Sequence, residues 1–270
     1  MSAISVRSVS QPLVYTLVVY PTFLLAAEAV LVFVGVVPGA TLHAILIAGW
    51  MLQYALSDSA DRSRADAGRT GDWCAQLLPV LALISLLRLL SVVVPVQDIP
   101  QMYWYAMIGA PMLAGTGLTA RLAGLSMTPL GLRARFGFSQ LAIAATGVPL
   151  GMIGYAILVP ESVIGQFSWT GFAVGALIII VFTGFLEEVL FRSVLQGLAS
   201  RVLGNAAVLW SSTIFALMFL GTLSLPFVLF MGLVAFFFGW CFRRTGILWG
   251  IVVAHCLMNL GFLIVYPLFL

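Results

Sequence analysis

Nine apolar runs fill most of this chain, and that pattern leaves few folds open. They lie at 12–37, 41–56, 73–94, 102–118, 141–159, 171–200, 205–222, 225–242 and 247–268. A helix needs about 20 predominantly apolar residues to cross the hydrocarbon core of a bilayer. In lipid, backbone polar groups must be satisfied within the segment, which a helix achieves by itself. The runs therefore predict an all-α, polytopic helical membrane protein with eight or nine transmembrane helices. The run 41–56 is the shortest, and an eight-span version folds the first two runs into a re-entrant hairpin. The run 171–200 is long enough to project past the bilayer. Charge agrees with this reading. Only 8% of the 270 residues are charged, against about 25% in soluble domains, so the chain has little surface to offer water. The run 12–37 is too long for the apolar core of a cleavable signal peptide and lacks a nearby small-residue cleavage site.

Orientation follows from the loops. All 12 basic residues are Arg. Arg7, then Arg62, Arg64 and Arg69, then Arg121, Arg133 and Arg135, then Arg201, then Arg243 and Arg244 fall before the first run or in alternate loops. The intervening loops 38–40, 95–101, 160–170 and 223–224 carry none. Cytoplasmic loops are the ones enriched in Lys and Arg, so the alternation predicts nine spans with the N-terminus cytoplasmic and the C-terminus outside. The same distribution accounts for the basic pI through a lipid partner, with no call for nucleic acid. Cys74, Cys241 and Cys256 stand at unrelated spacings and read as small packed hydrophobes. The one long polar stretch, 57–72, mixes both signs and reads as a solvated cytoplasmic loop.

Ionisable residues at membrane depth need a partner or a water-filled cavity. Glu28 and Arg88 lie at equal depth, roughly 22–24 Å from the cytoplasmic face at about 1.5 Å per residue. They form an ion pair, or Arg88 snorkels to the outer headgroups. The stretch FLEEVLFRSVLQG (185–197) carries Glu187, Glu188 and Arg192. Residues four apart share a helix face, so Arg192 can neutralise Glu188 and leaves Glu187 pointing elsewhere. The arrangement reads as one structural and one available carboxylate, or as a fixed ion cluster locking helices together. His255 and Asn259, again four apart, share a face of the last run at a depth Glu187 can also reach.

These residues resemble the CAAX-protease and bacteriocin-processing family of glutamate-type intramembrane endopeptidases. Glu187, Glu188 and Arg192 match its Glu-Glu-x-x-x-Arg motif, and His255 and Asn259 match its C-terminal His-x-x-x-Asn motif. The resemblance covers 170–266, dividing the chain into undiagnostic N-terminal helices (1–167) and a protease-like core (168–270). The family's middle motif, Phe-x-x-x-His, aligns with Phe215, but Phe219 stands where the family has His. The resemblance implies peptide-bond hydrolysis by a Glu-activated water. Glu187 would be the base, His255 and Asn259 the oxyanion donors, and Glu188 with Arg192 a supporting pair. It implies no cofactor, and a bacterial cytoplasmic membrane location.

Phe219 sets this reading against a second one, a protease-like fold kept as a silent scaffold or as a subunit of a larger membrane complex. The partners on the two readings are a peptide or membrane-protein substrate and a partner membrane protein. Zinc ligation by Glu187, Glu188 and His255 is a weaker reading, since Arg192 would repel a cation. A proton-coupled carrier is weaker too, because no repeat of broken helices is visible.

Overall fold

A computed structural model describes residues 14–61, 69–94, 99–133 and 137–270. Among the described residues there are nine helices and no strand, one helix for each apolar run. They are α1 (Tyr15–Phe33), α2 (Val36–Asp61), α3 (Arg69–Val93), α4 (Gln101–Leu122), α5 (Phe138–Leu158), α6 (Trp169–Leu203), α7 (Ala206–Thr222), α8 (Leu225–Thr245) and α9 (Trp249–Phe269). Seven of these are long and apolar enough to cross a membrane, so the chain is an integral membrane protein of the polytopic helical class.

The other two helices differ from the nine-span expectation. α4 has 22 residues, but Tyr103, Trp104, Tyr105, Thr116 and Thr119 dilute its apolar character. α7 is α-helical only over Ala206–Leu217, 12 residues, or about 18 Å. That is well short of the ~30 Å hydrocarbon core. A 3₁₀ turn at Leu220–Thr222 and a left-handed Leu223 end it. Ser224 then caps α8, accepting from the Phe227 amide, with a proline in the first turn.

The first loop also shifts. Gly35, at φ +150°, breaks the chain before Pro38, and Pro38 is absorbed into the first turn of α2. α1 and α2 are each long enough to span, so the pair needs no re-entrant arrangement. The polar stretch 57–72 is narrower than expected, because α2 runs to Asp61 and α3 resumes at Arg69. Its centre, with Arg62 and Arg64, lies outside the described residues, as do Arg7 and Arg135.

The described Arg-bearing turns meet at one end of the bundle. Arg201 stacks on Trp73, 4.2 Å from the ring centroid. Arg243 donates to Asn205 and to the Gly204 carbonyl. The 125–132 turn is pinned there by Ser193, which donates to the Leu130 carbonyl at 2.7 Å, and by the Leu248 amide, which donates to Gly131 at 2.9 Å.

α6 and α9 lie at the centre. Every side chain of Val189–Gln196 is buried, as are His255 and Asn259 on α9. Small residues permit this close approach, as is usual where helices pack in lipid. A Cβ on Gly151 of α5 would lie 2.6 Å from the Met258 carbonyl, and one on Gly184 of α6 would collide with Cys256. The three cysteines are buried and free of disulfides.

The pairing of Glu28 and Arg88 is direct, with Arg88 Nε donating to Glu28 Oε1 at 2.6 Å. Snorkelling is thereby replaced by an ion pair whose carboxylate is fully buried and whose guanidinium is partly exposed. His43 joins it, with Nε2 3.5 Å from the same oxygen.

Candidate functional site

The acidic pair sits where α6 changes its winding. π-helical turns at Ile180–Phe185 and Val189–Gln196 flank the three residues Leu186–Glu188. Such wide turns are uncommon and cluster at functional positions, because they re-aim side chains that an α-helix would align.

Glu188 is fully buried and divides its oxygens between two partners. Oε2 accepts from Arg192 Nε at 3.1 Å, and Oε1 lies 2.7 Å from His255 Nδ1. Arg192 is also fully buried, with its guanidinium 5.1 Å from the Phe215 ring centroid. That contact lets the ring face share the cation's charge. Its Nη1 and Nη2 make no hydrogen bond. The intrahelical pair expected from the i, i+4 spacing is therefore present.

The short contact to His255 is one that helical spacing does not indicate, since the sequence reading set only Glu187 against that ring. Glu188 makes it, because the rotation of α6 against α9 aims the buried carboxylate at Nδ1. Glu187 approaches the opposite nitrogen, with Oε2 3.7 Å from His255 Nε2, too far for a hydrogen bond. Its side chain is 26% exposed, against none for Glu188. Glu187 is thus the carboxylate open to a ligand, and Nε2 of His255 is buried without a hydrogen-bond partner. The rings of Phe215 and Phe238 pack on the imidazole at 6.3 and 5.9 Å.

Asn259 lies one turn beyond His255. Its Nδ2 donates to Thr183 Oγ1 at 3.1 Å, and Thr183 in turn donates to the Ile179 carbonyl. An amide nitrogen carries two hydrogens, so one remains for another acceptor.

Glu187, His255, Asn259, Thr183, Tyr105 and Phe219 line a cavity of about 100 Å³, otherwise walled by Leu, Met and Phe side chains and Gly154. That volume holds several waters, and the cavity has polar partners for them. Phe219 stands just after the α-helical part of α7, its ring 5.3 Å from Phe215 and 5.7 Å from Phe227. Among the described residues, no three His, Cys, Asp or Glu side chains converge as a metal-ligating group.

Residues 169–261 match the family model described as type II CAAX prenyl endopeptidase Rce1-like. This C-terminal part of the chain is CAAX-protease-like. The match takes in about a third of the chain, from the start of α6 through most of α9. It bears out the resemblance drawn from Glu187, Glu188, Arg192, His255 and Asn259. No curated protein and no solved structure matches the chain.

The CAAX-protease-like segment does not contain all of the site. Tyr105, from α4, lines the cavity beside Glu187, and no spacing in the sequence marks it. Thr183 was legible in principle, since it stands four residues before Glu187 and so shares its face.

Proposed function

We propose that the protein is an intramembrane endopeptidase in which Glu187 activates water. The observation that carries this reading is the two-sided setting of His255. Glu188 fixes Nδ1, and Nε2 faces Glu187 in a cavity with no hydrogen-bond partner of its own. A carboxylate that orients an imidazole through one nitrogen leaves the other aimed at the reacting group.

In the reaction, the Glu187 carboxylate takes a proton from a water held between it and the scissile carbonyl. The oxygen of that water attacks the carbonyl carbon, and the C=O electron pair moves onto oxygen. Nε2–H of the imidazolium and the remaining Asn259 amide hydrogen donate to this oxyanion. Donors fixed in advance, away from bulk water, are commonly the largest single contribution to such a step. As the intermediate collapses, the C–N bond breaks and Glu187 returns its proton to the departing amine. Glu188 and Arg192 position the ring and do not touch the substrate.

A second reading rests on Phe219. A phenyl ring beside Glu187 dries the cavity and offers no second group to hold the water. On that reading the fold is a silent scaffold or the subunit of a larger membrane complex. A cleavage assay decides between them. Purified protein is incubated with apolar peptides and the products are read by mass spectrometry. The peptidase reading requires products that disappear in Glu187→Gln. No products, together with co-purification of another membrane protein, supports the scaffold.

A further inference from the structure

A second cavity, of about 270 Å³, also reaches Glu187. Three residues line both cavities: Glu187, Phe219 and Tyr105. A carboxylate that takes one hydrogen of a water works best when another group holds the second hydrogen. Phe219 stands where the family resemblance puts that group, and a phenyl ring cannot serve. The question is which side chain on the shared wall can.

Few polar side chains reach either cavity, and most are already committed. Thr183 donates to the Ile179 carbonyl and accepts from Asn259. Ser91 donates to the Arg88 carbonyl, and Arg88 is held by Glu28. His255 and Asn259 serve the oxyanion on the reading above. The Tyr105 hydroxyl differs from all of these. Among the described residues it has no hydrogen-bond partner, and it can both donate and accept. A tyrosine hydroxyl placed away from bulk water usually finds a partner, so one without a protein partner is suited to a water. The ring itself is braced. It packs against Val163, Ile179 of α6 and Ile264 of α9, and these two helices carry Glu187 and His255. Tyr105 is therefore held in fixed relation to both.

We propose that Tyr105 is a further catalytic residue, whose hydroxyl holds the attacking water in place of the histidine that Phe219 replaces. The inference rests on the peptidase reading. One hydrogen of the water passes to Glu187 as a proton, and the other is accepted as a hydrogen bond by the Tyr105 oxygen. With both hydrogens held, a lone pair of the water faces the carbonyl carbon. The phenol keeps its own proton throughout, and no bond to Tyr105 forms or breaks. Tyr105 lies outside the family-matched segment 169–261, so α4 supplies a group that this segment lacks. A phenol oxygen accepts hydrogen bonds more weakly than an imidazole nitrogen, which fits slow cleavage rather than none.

The test is a double-mutant cycle on the full-length protein in detergent, with apolar peptides as substrate and initial rates read by mass spectrometry. Tyr105→Phe removes only a hydroxyl that has no protein partner, so the unfolding midpoint is expected to hold. Its kcat is expected to fall about 10²-fold, the low end for a group that assists proton transfer, with KM little changed. In Tyr105→Phe/Phe219→His the new imidazole takes over the water. There the loss of the hydroxyl is expected to cost at least about tenfold less than in the unaltered background, the mark of two groups sharing one task. A merely structural Tyr105 would cost the same in both backgrounds, and that result overturns the proposal. Cleavage indifferent to Tyr105→Phe overturns it as well. Cleavage by Phe219→His but not by the unaltered protein also overturns it, since the hydroxyl then does not stand in for the histidine, and leaves the peptidase reading in place. No cleavage by either protein overturns the peptidase reading, and this assignment with it.

Discussion

Glu188 has to satisfy Arg192 and His255 at once, and this makes the buried cluster sensitive to its members. Arg192→Leu leaves a fully buried carboxylate without its ion-pair partner. Removing one member of a buried pair typically destabilises by about 3–5 kcal/mol. We expect a correspondingly lower thermal unfolding midpoint in detergent, with Arg192→Lys losing less. Phe219→His tests the other side of the site. It puts an imidazole beside Glu187 in both cavities, where a second group can hold the attacking water. General acid–base groups commonly contribute about 10²–10⁴-fold, so peptide cleavage is expected to rise by that order, read as initial rates against the unaltered protein. At this scale the i, i+4 pairs were legible, because helical spacing alone puts Glu188 near Arg192 and His255 near Asn259. The contact between Glu188 and His255 was not. It depends on how α6 is rotated against α9, which side-chain packing and the π turns decide, and no residue spacing records that. His43 was hidden for the same reason, since its place beside Glu28 comes from the packing of α2 on α1.

α6 carries the acidic pair and α9 carries His255, so the site exists only while these two helices stay in close contact. Gly184 of α6 packs directly on Cys256 of α9, with no room for a Cβ. Gly184→Ala forces the helices apart or a rotamer to shift. Overpacking of this kind typically costs about 1–3 kcal/mol. The expected result is a lowered unfolding midpoint and a fall in cleavage larger than the loss of folded protein explains, as the Glu187 to His255 spacing opens. Replacing Leu209, an exposed apolar residue of α7, by Ala serves as the neutral comparison. Each apolar run became a helix, since length and apolarity suffice for that in lipid. The ends were less legible. Gly35 rather than Pro38 divides α1 from α2, because proline is tolerated in a first helical turn. α7 stops short because the backbone turns at Leu223 into the Ser224 cap, whereas hydropathy alone continues through it.

The whole molecule is polarised along its long axis. Arg121, Arg201, Arg243 and Arg244 stand in the last turns of α4, α6 and α8, and Arg243 ties the end of α8 to the turn after α6. The positive-inside bias then predicts that this end faces the cytoplasm, with the N-terminus inside and the C-terminus outside. Reporter fusions active on only one side of the membrane check this, and a C-terminal fusion active inside would reverse the assignment. The same polarity places the Glu28–Arg88 pair toward the opposite end, with Glu187 between. The central claim is that Glu187 does the chemistry. Its most direct measurement compares cleavage of apolar peptides by the purified protein, by Glu187→Gln and by Phe219→His, with products identified by mass. The account predicts slow cleavage by the unaltered protein, none by Glu187→Gln, and faster cleavage at the same bond by Phe219→His. Equal product from the unaltered protein and Glu187→Gln, or none from the unaltered protein and Phe219→His alike, would contradict it.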